Sequence, residues 1–231
     1  MAKRITVFAP ARIDLAGGWT DVPIYCNNKS GEVVNIAINQ YTKCIMEIDD
    51  GQKISLSYST DMPTSSGLGS SGSMNVGLIR TILTGQYEPE EISEIAFQFE
   101  SLLGNKGGRQ DQWASVLGGI NHLTFIGEKV NSKRLNPSKE FTSWLEDRLV
   151  LFNSGITHVS GDLHKEVWSR YIEGDGKISK ALDKLRNAGL EMSKAIIEES
   201  KDGVVESMRL VMQGVDLISL ELHNPFRKKL T

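Results

Sequence analysis

The sequence predicts an α+β chain, and three observations carry that expectation. Residues 5–58 hold short runs rich in Val, Ile, Thr and Tyr, which read as strands. From Asp162 onward the apolar side chains recur at helical spacing. Between these regions, Pro63-Thr64-Ser65-Ser66-Gly67-Leu68-Gly69-Ser70-Ser71-Gly72-Ser73-Met74 sets three glycines among hydroxyl side chains, directly before an apolar helical run.

Ile5–Ala9 alternates and reads as a first strand, ended by Pro10. A loop with Arg12, Asp14, Gly17, Gly18 and Asp21 follows. Glu32–Asn39 and Tyr41–Ile48 read as two strands. Asp50-Gly51 is a hairpin signal, so Lys53–Tyr58 returns as a paired strand with Ile54, Leu56 and Tyr58 alternating. A helix over 70–84 carries Met74, Val76, Leu78, Ile79, Ile82 and Leu83. Pro89 suits a first helical turn, where Glu90 and Glu91 favour the dipole. That helix turns Ile92, Ile95, Ala96, Phe99, Leu102 and Leu103 inward. Asp111–Leu117 reads as a short helix and Ile120–Ile126 as a strand. Lys129–Ser143 is polar and contains Pro137, which places a boundary near 130–145, and Arg148–Asn153 reads as one more strand. In the helical remainder, Leu182, Leu185, Leu190, Met192 and Ile196 form one core stripe, and Val204, Met208, Val211, Met212 and Val215 another.

Composition narrows the function. The 231 residues fit one large domain or two small ones. A formal net charge of −3 gives no basic surface for nucleic acid. Cys26 and Cys44 form no C-x-x-C and read as free thiols of a reducing compartment. The basic start is too short for a signal peptide, and no apolar stretch approaches the roughly 18 residues of a membrane span. A cytoplasmic enzyme with no membrane partner is the expectation. His158 and His164 are spaced wrongly for one helix face and have no third ligand near, so zinc is not expected. His122 reads as structural and His223 lies in the tail.

The glycine-rich loop is built to hold an anion. Glycine permits positive φ and close approach of a ligand, and the first N–H groups of the following helix carry the positive end of its dipole. Gly67-x-Gly69-x-x-Gly72 matches the dinucleotide spacing, but Glu88, Glu90, Glu91 and Glu94 open a helix instead of closing a second strand. A Walker loop needs Lys where Ser73 stands.

Three segments together resemble the GHMP kinases, the superfamily of galactokinase, homoserine kinase, mevalonate kinase and phosphomevalonate kinase. Pro63–Ser71 resembles their phosphate loop. Pro10-Ala11-Arg12-Ile13-Asp14-Leu15-Ala16-Gly17-Gly18-Trp19-Thr20-Asp21 resembles their N-terminal sugar-site motif, and Gly107-Gly108-Arg109-Gln110-Asp111-Gln112 the segment of their catalytic aspartate. The heptose-phosphate kinase and fucokinase branch is the nearest in pattern. The resemblance implies a two-domain α+β fold, with an ATP-binding N-terminal domain at 1–135 and a C-terminal α+β domain at 145–231. The superfamily's late glycine-rich G-x-G-G-G-G string has no counterpart here, so the second domain is expected to lack its last elements.

Roles follow from the same resemblance. Pro63, Ser65, Ser66, Gly67, Leu68, Gly69, Ser70 and Ser71 would hold ATP. Ser71 and Glu100 would meet Mg²⁺, which takes oxygen ligands and one or two carboxylates. Asp111 would orient or deprotonate the acceptor hydroxyl. Arg12 would neutralise the moving phosphoryl group or lower the acceptor's pKa. Asp14, Gly18 and Asp21 would bind sugar hydroxyls, and Arg109 a substrate phosphate. Trp19 fits either a stack on a sugar ring or core packing. The implied reaction moves the γ-phosphate of ATP to a sugar or sugar-phosphate hydroxyl. The anomeric hydroxyl of D-glycero-D-manno-heptose 7-phosphate comes first, and fucose or a related hexose second. A non-catalytic nucleotide or sugar binder is the rival class.

Overall fold

The computed structural model describes residues 3–63, 66–83, 85–104, 107–152 and 160–218. Its elements in chain order are β1 (Lys3–Ala16), α1 (Pro23–Cys26), β2 (Gly31–Ile48), β3 (Ile54–Thr60), α2 (Ser70–Ile82), α3 (Pro89–Leu102) and α4 (Gln110–Leu117). They continue with β4 (Ile120–Ile126), β5 (Lys129–Leu135), α5 (Lys139–Arg148), α6 (Ser160–Ile172), α7 (Gly176–Ile197) and α8 (Lys201–Ile218). The described strands form one sheet of order β1-β2-β4-β5, with β3 paired antiparallel to β2. The α+β expectation holds.

Contacts divide the chain into two units. One joins Met1–Ile13 with Asn35–Asn121, and the other joins Asp14–Val34 with His122–Thr231. This division differs from linear domains at 1–135 and 145–231. The reason is that β1, β2 and β4 each begin in one unit and end in the other, so Asp14–Val34 packs with the C-terminal residues.

In the first unit, Pro10 does not end the opening strand; β1 runs through it to Ala16, and Arg12 and Asp14 lie on the strand. The runs at 32–39 and 41–48 are one strand of 18 residues. Helices α2 and α3 close a small core of Ala9, Val76, Ile79, Ile92 and Ala96. Glu91 accepts the backbone N–H of Glu88 at 2.9 Å, which fixes the start of α3 after its Pro89. Leu102 and Leu103, expected inside, are 85% and 70% exposed, because α3 ends there beyond its packed face. Ile54, Leu56 and Tyr58 of β3 are exposed as well.

In the second unit, the polar stretch after Gly127 is ordered structure: β5 pairs with β4, and Ser138 caps α5 by accepting the Phe141 N–H. Arg148 ends that helix, and 149–152 form no strand. The core gathers Val22 and Tyr25 with Val167, Trp168, Ile178, Ala181, Leu182, Leu185 and Ile218. The α7 stripe is inside at Leu182, Leu185, Met192 and Ile196. Of the α8 stripe, Val204 is buried, but Met208 and Met212 are exposed. Cys26 in this unit and Cys44 in the first are buried, and neither is in a disulfide.

Asp175 caps α7 by accepting from Lys177 N–H at 2.8 Å and Ile178 N–H at 3.4 Å, and Arg170 donates to it at 2.8 Å. The Arg170 bonds, with the capped N–H groups, hold this carboxyl below its ordinary value. A folded value below the unfolded one stabilises the protein above the unfolded value, and that contribution disappears as pH falls through the folded value. Asp175→Ala is therefore expected to lower the melting temperature at neutral pH. The gap to the wild type should close in strong acid, below the ordinary 3.8, in melts followed by circular dichroism.

Candidate active site

Arg12 organises the first unit's site. It stands on β1, whose backbone N–H at Arg12 donates to Leu68 O at 3.0 Å, laying the glycine-rich loop along the strand. Its guanidinium donates from Nη1 to Gly67 O at 2.6 Å and from Nε to Asp111 Oδ1 at 2.9 Å, with Nη2 2.6 Å from the same oxygen. One planar cation therefore joins the loop, the strand and the first turn of α4. Such charge-assisted bonds are about twice as strong as neutral ones. The Asp111 side chain keeps about a quarter of its surface open (26%), so a group arriving from solvent reaches it.

Two glycines make this closeness sterically possible. Gly69, the residue before α2, has φ +71°, and a Cβ there would lie 3.2 Å from Asp111 Cγ. Gly72 sits one turn into the approach, where a Cβ would lie 2.5 Å from Asp111 Cβ and 3.1 Å from its backbone carbon. Neither atom can swing aside, so Gly72→Ala must push α2 off α4. Overpacking of this kind costs about 1–3 kcal/mol. A lower urea midpoint together with weaker nucleotide binding is the expected outcome.

The other loop residues divide between surface and framework. Pro63, Ser66, Gly67 and Ser71 are exposed, Leu68 and Ser70 half-buried, and Gly69 buried. Ser65 lies outside the described residues, as do His158 and His223. Ser73, where a Walker loop has its Lys, is buried; its hydroxyl donates to Ser70 O at 3.0 Å and shares a hydrogen bond with Thr42 Oγ1 at 2.9 Å. It pins α2 to β2.

Glu100 is buried on α3, and Gln112 Nε2 donates to its Oε2. Gln112 directly follows Asp111, so α4 carries both Asp111 and the amide that fixes Glu100. Arg109 is drawn into the α3–α4 packing: it is 5% exposed, its guanidinium lies 4.7 Å from the Phe97 ring, and Nε is 3.7 Å from Glu94 Oε2. Trp113 Nε1 donates to the same Glu94 at 2.9 Å. Sequence reasoning missed Gln112 and Glu94. The signal was there for Glu94, one turn before Phe97 on the same helix face, but its partner could be any cation.

The remaining predicted residues belong to the second unit. Asp14 is half-buried at the end of β1, and Gly18 and Asp21 are buried in the loop after it. Trp19, between them, has φ +78°, a conformation a bulky residue adopts only where its surroundings hold it. Its ring stacks on His164, centroids 4.3 Å apart and planes at 13°, and leans on Trp168 at 5.9 Å. Of the two readings for Trp19, the structure shows packing on α6. Burial lowers the His164 pKa, which keeps that ring neutral against the indole. Among the described residues no group of three His, Cys, Asp or Glu is gathered to hold a metal.

Residues 33–119 match the family described as GHMP kinases N terminal domain. The chain is 28% identical over 250 residues to D-glycero-α-D-manno-heptose 7-phosphate kinase of Campylobacter jejuni, covering 84% of this chain and 72% of that protein. It is 23% identical to the bifunctional fucokinase/GDP-fucose pyrophosphorylase of Arabidopsis thaliana, covering 90% of this chain but 26% of that protein. The crystal structure of a D-glycero-D-manno-heptose 1-phosphate kinase from Bacteroides thetaiotaomicron shares the fold, with a TM-score of 0.71 at 22% identity over 94% of this chain and 79% of that one.

Proposed function

We propose that this chain, whose residues 33–119 match the GHMP kinases N terminal domain, is a GHMP-type kinase that moves the γ-phosphate of ATP to the anomeric hydroxyl of D-glycero-D-manno-heptose 7-phosphate. The observation that carries the reading is the Arg12 bridge between the glycine-rich loop and Asp111. Phosphoryl transfer asks little covalent chemistry of the protein and much positioning of charge. The start of α2, with Gly67, Leu68, Gly69, Ser70 and Ser71, offers N–H groups and hydroxyls to the phosphates. Pro63, Ser65 and Ser66 complete that loop. Asp111 receives the acceptor hydroxyl's hydrogen bond and orients or deprotonates it. Arg12 fixes Asp111 and faces the charge that develops as the phosphoryl group departs.

Ser71 and Glu100 offer one exposed hydroxyl and one buried carboxylate, oxygen donors of the kind Mg²⁺ takes. Bound there, Mg²⁺ supplies neutralisation of phosphate charge. Gln112 donates to the Glu100 carboxylate and holds it in one orientation.

Asp14, Gly18 and Asp21 take the sugar hydroxyls. Arg109 is engaged by Glu94 and Phe97, so it acts by seating α4 under Asp111 and leaves a substrate phosphate to other groups. The heptose acceptor is supported by the Campylobacter jejuni relative, and a fucose-like hexose by the fucokinase relative. A soluble sugar as partner fits both, and among the described residues no helix is long and apolar enough to cross a membrane. Incubation with ATP, Mg²⁺ and a panel of heptose 7-phosphate, fucose and galactose, with ADP followed, tests the reading. ADP release with the heptose phosphate is expected; release with fucose alone moves the acceptor to hexose. Nucleotide binding without turnover on any of the three overturns the kinase in favour of a binder.

A further inference from the structure

We propose that Glu32 is the positioning residue that fixes the loop Gly17–Asp21, and through it the acceptor; the second clause rests on the sugar-site reading above. Every contact involved lies within the second unit.

Glu32 grips the loop with its backbone. Its N–H donates to Thr20 Oγ1 at 3.0 Å, and that hydroxyl donates onward to Gly17 O at 2.6 Å. The two backbones touch: a Cβ on Gly17 would lie 1.8 Å from Glu32 O, and one on Gly31 would lie 2.0 Å from Thr20 O. The strained Trp19 sits inside the span closed by these bonds. Strained residues persist only where neighbouring structure over-determines them.

The carboxylate then fixes Glu32 itself. Oε2 accepts from Thr124 Oγ1 at 2.8 Å and pairs with His122 Nε2 at 2.9 Å, both on β4. Oε1 lies 3.8 Å from Arg186 Nη2 on α7. Arg186 also donates from Nε to Ser30 O and from Nη2 to Ser30 Oγ, each at 2.8 Å. Gly189 of the same helix comes so near that a Cβ there would lie 2.1 Å from Glu32 O. Burial pushes the carboxyl's pKa up, but the bonds from His122 and Thr124 outweigh it and hold it below the ordinary value, so Glu32 is ionised. The side chain is 7% exposed. A buried carboxylate with this many donors is a rigid anchor, and removing its charge leaves His122 and Arg186 facing an unfilled site. No group here touches a reacting atom.

Hydrogen exchange read by mass spectrometry on the full chain tests the anchor. In Glu32→Gln, which keeps the volume and loses the charge, amides of residues 17–22 are expected to exchange about tenfold faster, while residues 66–74 keep the wild-type rate. The KM for D-glycero-D-manno-heptose 7-phosphate should rise by about tenfold, with kcat and ATP affinity nearly unchanged. Thr20→Val should reproduce both effects and Thr20→Ser should restore the wild type, and this pair decides the matter if Glu32→Gln fails to fold. Exchange at residues 17–22 that stays at the wild-type rate in the folded variants overturns the anchor. A loosened loop with an unchanged sugar KM overturns its link to the acceptor. A wild-type chain that phosphorylates no sugar overturns the sugar-site reading instead, and the exchange rates still decide whether Glu32 holds the loop.

Discussion

Asp111→Asn is expected to lower kcat on the order of a thousandfold, with ATP affinity almost unchanged. Asn keeps the shape of Asp and an oxygen that can still accept from Arg12, so the bridge to the glycine-rich loop survives. What disappears is the negative charge and the ability to take a proton from the acceptor. General-base steps contribute roughly 10²–10⁴ in rate, which is why the loss should fall in turnover and not in binding. Titration of the variant with ATP, beside steady-state ADP release, separates the two. A variant with more than about a tenth of wild-type kcat would move the proton's acceptor away from Asp111.

Arg12→Lys is expected to be as damaging by a different route. The guanidinium meets Gly67 O with one nitrogen and Asp111 Oδ1 with two others. A lysine ammonium is a single point of charge and cannot span both partners from the same position on β1. The charge remains nearby, but the glycine-rich loop and Asp111 are no longer tied together. Both ATP affinity and kcat should fall, kcat by roughly a hundredfold or more. The double variant with Asp111→Asn should lose much less kcat than the product of the single losses, because Arg12 acts on turnover by placing the Asp111 carboxylate, which the second change has already removed. Full multiplicative loss would mean that the two residues act independently.

Local chemistry explains which parts of this molecule could be read from sequence. The glycine-rich loop, α2, α3, α4 and β4 announce themselves through nearest-neighbour rules: glycine before a helix, proline at a first turn, alternation in a strand. The length of β1 and β2 was hidden because Pro10 and the polar Asn39-Gln40 pair look like breaks, whereas the ladder partner decides whether a strand continues. The β5–α5 segment was hidden because both elements are mostly exposed and bury only Leu135, Phe141 and Leu145, too few for a clear apolar pattern. In the site, Arg12, Asp111 and the loop could be named from their motifs, and the structure brings them within hydrogen-bonding distance. Arg109 could not be placed, since a guanidinium reads the same whether it faces a phosphate or a half-buried Glu94. Glu32 did carry a hint: an acid next to Val33 and Val34 inside a strand needs buried partners. Those partners, His122, Thr124 and Arg186, lie 90 or more residues away, beyond any local rule.

The sharing of strands between the units has a consequence for how the chain is made. Val22 and Tyr25 leave the ribosome long before the residues that cover them, from Val167 to Ile218, are synthesised. Contacts so distant along the chain are slow to form. A nascent chain halted before α6 would carry this apolar segment with nothing to cover it, a natural target for chaperones.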